Sequence, residues 1–319
     1  MMEDVACNLC GSNRHETLYH MPDTHYPADQ LFRVVRCEDC GLGFVNPRPK
    51  AEDMAAFYPE AFYADFDTSI DHHDNRYRIQ AQYLAGVKGR LENPRLLDVG
   101  CATGNFPRMM QKQGWTVEGL EVSDIAERIQ DFTVHRCPLP ELSLPDGQFD
   151  AITAWAVLEH VHDPKAYMEA VGRLLKPGGK FVFLVTNLDS LSSRALFRED
   201  VPRHLYFFSH KTVSRYLAES GLRLRSYDNN AQLFEMQPVN WLHYAFCRLK
   251  GGQWAWNGLP ETRHEYFKRA GLKVNFAGNL RFALTHPLSA LDRLLMPLYI
   301  RWQYLRRTYG ITTYVCDKP

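Results

Sequence analysis

Leu96-Leu-Asp-Val-Gly100-Cys-Ala-Thr-Gly104-Asn-Phe106 reads as a buried strand, a glycine loop and the first residues of a helix. Gly100 and Gly104 let the backbone turn tightly and approach a ligand, and the carboxylate of Asp98 can fix the loop or receive a cationic amine. The spacing is G-x-x-x-G. The G-x-G-x-x-G fingerprint that seats a pyrophosphate is therefore absent, and a nicotinamide cofactor is the weaker reading. A second strand ends at Glu121, 23 residues beyond Asp98, about where an acid accepts hydrogen bonds from ribose hydroxyls in a nucleotide-binding βαβ unit.

Working outward, apolar runs alternate with helical patterns: RLLDVG, WTVEGLE, TVHRC, FDAITAWAV and KFVFLV. The alternation predicts a parallel sheet covered by helices. Pro107 falls in the first turn after the glycine loop, Ser123 stands as the cap of a second helix, and Asp163-Pro164 caps and opens a third. That third helix stops at Lys176-Pro177-Gly178-Gly179. A helix over 209–220, a sixth strand over 222–227 and a seventh over 311–316 complete the pattern.

Toward the N-terminus, Cys7-Asn-Leu-Cys10 and Cys37-Glu-Asp-Cys40 are two C-x-x-C knuckles, each followed by glycine (Gly11, Gly41). Four thiolates on two tight turns suit tetrahedral zinc. Such a set leaves no ligand position open to water, so Cys7, Cys10, Cys37 and Cys40 are read as a structural Zn2+ site. Residues 1–50 carry seven acids against five Lys and Arg. That balance opposes a grip on phosphate backbones, and nucleic acid is not expected as a partner. The 319 residues have 45% hydrophobic content, 23% charged content and a formal net charge of zero, as expected of a globular chain without global attraction to polyanions. No stretch reaches the roughly 18 uncharged apolar residues of a spanning helix, Met1 to Cys10 has two early acids and no apolar core, and the eight cysteines are expected in a reduced compartment. A cytoplasmic protein is expected.

In order and spacing, LLDVGCATGNF, GLEVSD, LPDGQFDAITAWAVLEHVHDP, LLKPGGKFVFLV and PRHLYFFS resemble the successive signatures of class I S-adenosylmethionine-dependent methyltransferases over about 95–230. With the ribbon ending CGLGFVNPRP and the FYPEAFY connector, the chain is similar to zinc-ribbon methyltransferases of bacterial natural-product and surface-glycan pathways. The resemblance implies a Rossmann-like α/β fold, a seven-stranded mostly parallel sheet with helices on both faces. The expected division is a zinc ribbon over 1–50, a helical connector over 51–90 and a methyltransferase domain over 91–319, with a helical insertion at about 235–308.

The resemblance further implies that Asp98, Gly100, Cys101, Ala102 and Gly104 line the methionine and ribose part of S-adenosyl-L-methionine. Glu121 would hold the ribose, Val122 and Leu139 would flank adenine, and Ala154 would face the amino-acid end. Where relatives place a polar residue beside adenine, this chain has Cys137-Pro138-Leu139-Pro140; that contact comes from backbone or is missing. Candidate bases are His160, in LEH, His204, in PRH, and Tyr206, since loops at the carboxyl ends of strands gather around such sites. LEH and PRH also resemble, loosely, metal-binding positions of quinone-biosynthesis and small-RNA O-methyltransferases. Those enzymes have a further acid where this chain has Ala156, which disfavours a catalytic metal.

Before the last strand, 241–310 holds 11 Lys and Arg against three acids and four of the six tryptophans. Trp254 and Trp256 flank a glycine-rich turn, and 288–307 reads as an amphipathic helix, although Pro287 and Pro297 are expected to interrupt any long surface helix. Basic residues interleaved with tryptophan suit an anionic membrane surface, reached peripherally through 241–308, or a phosphate-linked lipid carrier. A lid over the active site or a homodimer surface is the plainer alternative. The expected function is methyl transfer to a small-molecule, glycan or lipid-linked acceptor. An RNA methyltransferase and a non-catalytic zinc scaffold are the rivals.

Overall fold

The structure, a computed structural model, describes residues 1–23, 30–59, 74–88, 92–190, 200–230, 232–233, 242, 266–267, 269–271 and 275–319. Phe62, Tyr63, the polar run over 65–73, and Trp241, Trp254 and Trp256 lie outside the described residues.

In the N-terminal unit, β1 (Met2–Glu3) pairs with β5 (Arg48–Pro49). Strands β2 (His15–Pro22), β3 (Leu31–Cys37) and β4 (Gly43–Val45) form an antiparallel ribbon. A 3-10 turn over Ala51–Phe57 leads into the connector, whose helices are α1 (Asp74–Gln82) and α2 (Ala85–Lys88).

Then comes the expected alternation: β6 (Arg95–Val99), α3 (Asn105–Lys112), β7 (Thr116–Leu120), β8 (Thr133–His135), β9 (Phe149–Trp155), α4 (Pro164–Leu174) and β10 (Leu175–Thr186). After β11 (Tyr206–Phe207) follow α5 (His210–Glu219), β12 (Arg223–Asp228), α6 (Phe276–Thr285), α7 (Pro287–Arg306) and β13 (Ile311–Asp317).

The main sheet has the order β12-β13-β10-β9-β6-β7-β8, with β6 to β10 parallel and β13 antiparallel to both neighbours. Its central strands β6 and β9 are almost wholly buried, which explains their unbroken apolar runs. Strand order reverses between β6 and β9, so the carboxyl ends of these two strands open the crevice where α/β sheets bind ligands.

Of the two caps read from the sequence, Asp163 acts, accepting Ala166 N at 3.0 Å. Ser209 with Thr212 makes a reciprocal box at the start of α5 that was not read. Ser123 does not cap: the turn behind it is a short 3-10 segment (Asp124–Arg128), and its hydroxyl donates to Glu121 instead. Pro297 is a second correction. Helix α7 runs through it for 20 residues, because the ring sits on an exposed side where the lost amide bond leaves a carbonyl open to water.

The ribbon is not a separate bead. Its sheet takes its fourth strand from β11, which pairs antiparallel with β4. One core runs from Leu9, Leu42 and Phe44 through Leu205 and Phe208 to Leu97, Phe183 and Tyr216.

Candidate functional site

The glycine loop takes the backbone that its glycines permit. Gly100 and Gly104 have φ of +70° and +79°, and Ala102 between them is also left-handed at +47°. A Cβ on Gly100 would lie 2.5 Å from Cγ2 of Val157, so no larger residue fits there without moving the loop after β9. Glu121 ties the loop to the end of β7: one carboxylate oxygen accepts Ala102 N at 3.0 Å, the other Ser123 N at 2.9 Å and Oγ at 2.8 Å. The oxygen that accepts Ala102 N keeps a lone-pair site for a hydroxyl. Asp98 is buried and accepts Thr153 Oγ1 at 2.6 Å. Burial first, and the Glu121 charge after it, push its carboxyl up to about 7, while the Thr153 hydrogen bond works against the rise. Cys101, Leu139 and Ala154 are buried around this floor, and Val122 is exposed beside it as an open shelf.

A second constellation lies just past β9. His160 and His204 meet edge to face, with ring centroids 4.6 Å apart. Tyr58 Oη sits 3.0 Å from His160 Nδ1. Burial first, and the neighbouring His204 second, pull His160 down to about 3, so its ring is neutral at neutral pH. Glu159 is fully buried beside them, and its carbonyl accepts Leu205 N and Tyr206 N, which pins the PRH segment to the LEH turn. Glu159, His160 and His204 each offer a ligand atom, all within 4.8 Å of one another.

Arg203 anchors the group from below. Its guanidinium is fully buried, meets both oxygens of Asp23 at 2.9 and 2.7 Å, donates to Asp200 at 2.6 Å and donates to the carbonyl of Phe57 at 3.0 Å. The Tyr206 hydroxyl donates to the His162 carbonyl at 3.0 Å and accepts Arg48 Nη1 at 2.8 Å, which ties the ribbon to the segment after β9.

The four knuckle cysteines converge. Cys7 and Cys40 sulfurs are 3.4 Å apart, Cys10 and Cys37 sulfurs 3.5 Å, and all four lie within 4.8 Å of one another. Thiolates about 2.3 Å from a tetrahedral ion would stand roughly 3.8 Å apart, so this set fits zinc. Gly11 N and Gly41 N close the two knuckle turns onto the carbonyls of Cys7 and Cys37, with φ of +73° and +87°. The first knuckle also reaches the start of α4 and the second half of α5. Asn8 donates to Asp163 at 2.9 Å and accepts Lys165 N at 3.1 Å and Tyr216 Oη at 2.8 Å.

A family model described as a methyltransferase domain matches residues 71–227. A ubiquinone biosynthesis O-methyltransferase of Alkalilimnicola ehrlichii is 34% identical over 203 residues, covering 54% of this chain and 82% of that protein. The chain belongs to the S-adenosylmethionine-dependent methyltransferases. A second relative of the same name, from Bordetella avium, is 24% identical over 197 residues, covering 54% of this methyltransferase and 82% of its own length. Among solved structures, a chain of the complex between the Haloferax volcanii Trm112 methyltransferase activator and a methyltransferase aligns with a TM-score of 0.50. That alignment has 15% identity and covers 84% of this chain and 96% of that one, so the two share the fold.

Around this methyltransferase's site, several side chains carry weight that motif reading did not give them. Asp23, Tyr58 and Arg203 have no local signature; each gains its role from a partner more than 100 residues away, as the separations of 180 and 102 residues show. Gly119 had a readable signal, a glycine inside an apolar strand: a Cβ there would lie 2.6 Å from Cys101 Sγ, so its absence gives the glycine loop room.

Proposed function

We propose that this enzyme transfers a methyl group to a hydroxyl of a small-molecule acceptor, with His204 taking the acceptor's proton and His160 holding it in place. One observation carries this reading. The turn after β9 packs Val157 against Gly100 and, three residues on, presents His160 against His204, so the segment that packs on the cofactor loop also carries the histidine that positions the base. The names of the first relatives support oxygen as the methylated atom.

Asp98, Gly100, Cys101, Ala102 and Gly104 would hold the methionine and ribose part of the cofactor, Glu121 the ribose, Val122 and Leu139 the adenine, and Ala154 the amino-acid end. S-adenosyl-L-methionine supplies a methyl group activated by a cationic sulfonium. The chain's own residues orient the acceptor and remove its proton. Burial and its His204 neighbour keep the His160 ring neutral, and its contacts with Tyr58 and His204 suit it to positioning, which leaves His204 to take the proton. The test is labelled S-adenosylmethionine with a panel of phenols, aliphatic alcohols, glycans and amines, watching methyl incorporation. Turnover on amines or RNA alone, with no hydroxyl methylated, sinks the reading.

The cysteine cluster is proposed to hold structural zinc that braces the site, since Asn8 and Arg48 of the same unit grip residues 162–165. Chelation should melt the ribbon and abolish turnover together, with zinc release followed by a metallochromic dye. A second reading is favoured by the convergence of Glu159, His160 and His204: the same three side chains hold a catalytic divalent cation. Ala156 leaves that set one ligand short of the pattern in quinone-biosynthesis enzymes. Metal analysis of the wild type and Glu159→Gln separates the readings: one equivalent in both supports the base, two falling to one supports the cation.

A further inference from the structure

Helix α7 is built inside out for a water-exposed helix. It buries Ser289, Asp292 and Gln303 against the protein and turns Leu291, Leu294, Leu298, Trp302 and Leu305 to solvent. Steps of three and four residues put these five on one stripe, with Leu294 and Leu305 75% and 78% exposed. Helix α6 does the same with Phe276, Leu280 and Leu284 at steps of four, and Phe276 is 84% exposed. Nine of the twelve exposed large hydrophobic side chains among the described residues lie on these two helices. A face of this size marks an interaction surface.

We propose that this face of α6 and α7 docks on an anionic lipid bilayer. Charge selects the occupant. Over 275–308 the exposed charged residues are Arg281, Arg293, Arg301, Arg306 and Arg307; the segment's one acid, Asp292, is buried and accepts Leu242 N at 3.0 Å. A second copy laid on the stripe would bring Arg301 and Arg306 against the same arginines, with no exposed carboxylate among the described residues of 275–308 to meet them. An anionic interface satisfies both the leucines and the arginines. At about 100° per residue, Arg301 and Arg306 fall on opposite sides of the α7 stripe, which suits headgroups flanking a shallowly inserted apolar ridge. Trp302, half exposed within the stripe, is the residue type that favours the headgroup boundary.

The surface adjoins the site. The chain after α7 is tied to the carboxyl end of β10, where Asn187 Nδ2 donates to the Tyr309 carbonyl at 3.0 Å. The bilayer-facing helices therefore stand beside the strand ends around which the acceptor site is built, as suits an acceptor drawn from a membrane. Among the described residues no helix is long and apolar enough to cross a membrane, so the contact is peripheral.

The experiment uses the full chain and extruded vesicles of phosphatidylcholine alone or with about one-third phosphatidylglycerol. The wild type should co-sediment with the anionic vesicles only, and less so at high salt. Replacing Leu294, Leu298 and Leu305 together by serine should lower the partition coefficient on the order of 100-fold. Arg301→Glu with Arg306→Glu should lower it about tenfold or more. All five side chains are exposed, so circular dichroism and cofactor affinity should not change. Failure of the wild type to co-sediment overturns the proposal, as does undiminished binding by the triple serine variant. A concentration-dependent dimer in light scattering that the same serines dissociate, without vesicle binding, assigns the face to a second copy and also overturns it.

Discussion

The cofactor half and the acceptor half of the proposed site are built in opposite ways. Around β6 and β7, Asp98, the glycine loop and Glu121 fall within one βαβ unit, and the bond that closes the loop spans 19 residues, from Ala102 N to Glu121. Past β9, the histidine pair is assembled from three remote pieces: Tyr58 reaches His160 across 102 residues, Arg203 reaches Asp23 across 180, and Asn8 reaches Tyr216 across 208. The first half is a self-contained local motif. The second exists only when the ribbon, connector and sheet are docked, so it should fail first when that docking is disturbed.

The sharpest way to break the comparison is to separate chemistry from cofactor binding. His204→Asn should lower kcat by 10²- to 10⁴-fold while cofactor affinity by calorimetry stays within about twofold. A matching loss of affinity would mean that the two halves are one unit. Next comes the docking itself. Arg203→Met leaves the Asp23 carboxylate buried without its guanidinium, and denaturant unfolding should register about 3–5 kcal/mol of lost stability. The paired change Arg203→Met with Asp23→Asn should recover part of it, because the uncompensated charge is gone.

The cofactor half should respond in its own currency. Glu121→Ala removes two anchors of the loop and the expected ribose acceptor; at about 1.5–3 kcal/mol for a charge-assisted bond, cofactor affinity should fall by about ten- to a few hundred-fold. At saturating cofactor, kcat should hold within a few-fold. The smallest effect is a proton. With its pKa raised to about 7, Asp98 is largely protonated in the free enzyme below neutrality, and binding a cation beside it favours the ionised form. Affinity should therefore rise with pH by up to about tenfold per unit below 7 and level off above it. The slope should vanish in Asp98→Asn.

The same contrast explains what could be read from the chain. LLDVGCATGNF and the acid at Glu121 specify their structure over a few turns, because glycine φ angles, strand burial and one carboxylate suffice. His160 and His204 were nameable as candidates from the strand ends that carry them. Tyr206 was named for the same reason, yet its hydroxyl belongs to Arg48 and His162, a difference that depends on where the ribbon sits. Pro297 misled because a proline stops a helix only where the lost amide bond cannot be offset, and on an exposed face water serves.

Composition and spacing determined the cofactor loop, the alternating elements of the sheet and the four-cysteine set, since each rests on short-range geometry. Tertiary structure alone decided that β11, from the far end of the chain, would supply the ribbon sheet's fourth strand. It also decided that Asp23 would neutralise Arg203 next to a pair of edge-to-face histidines, and that the leucines of α7 would face outward while Ser289, Asp292 and Gln303 faced in. The reason is physical: an amphipathic pattern specifies a stripe, and only the packed neighbour specifies which side of the stripe meets the protein.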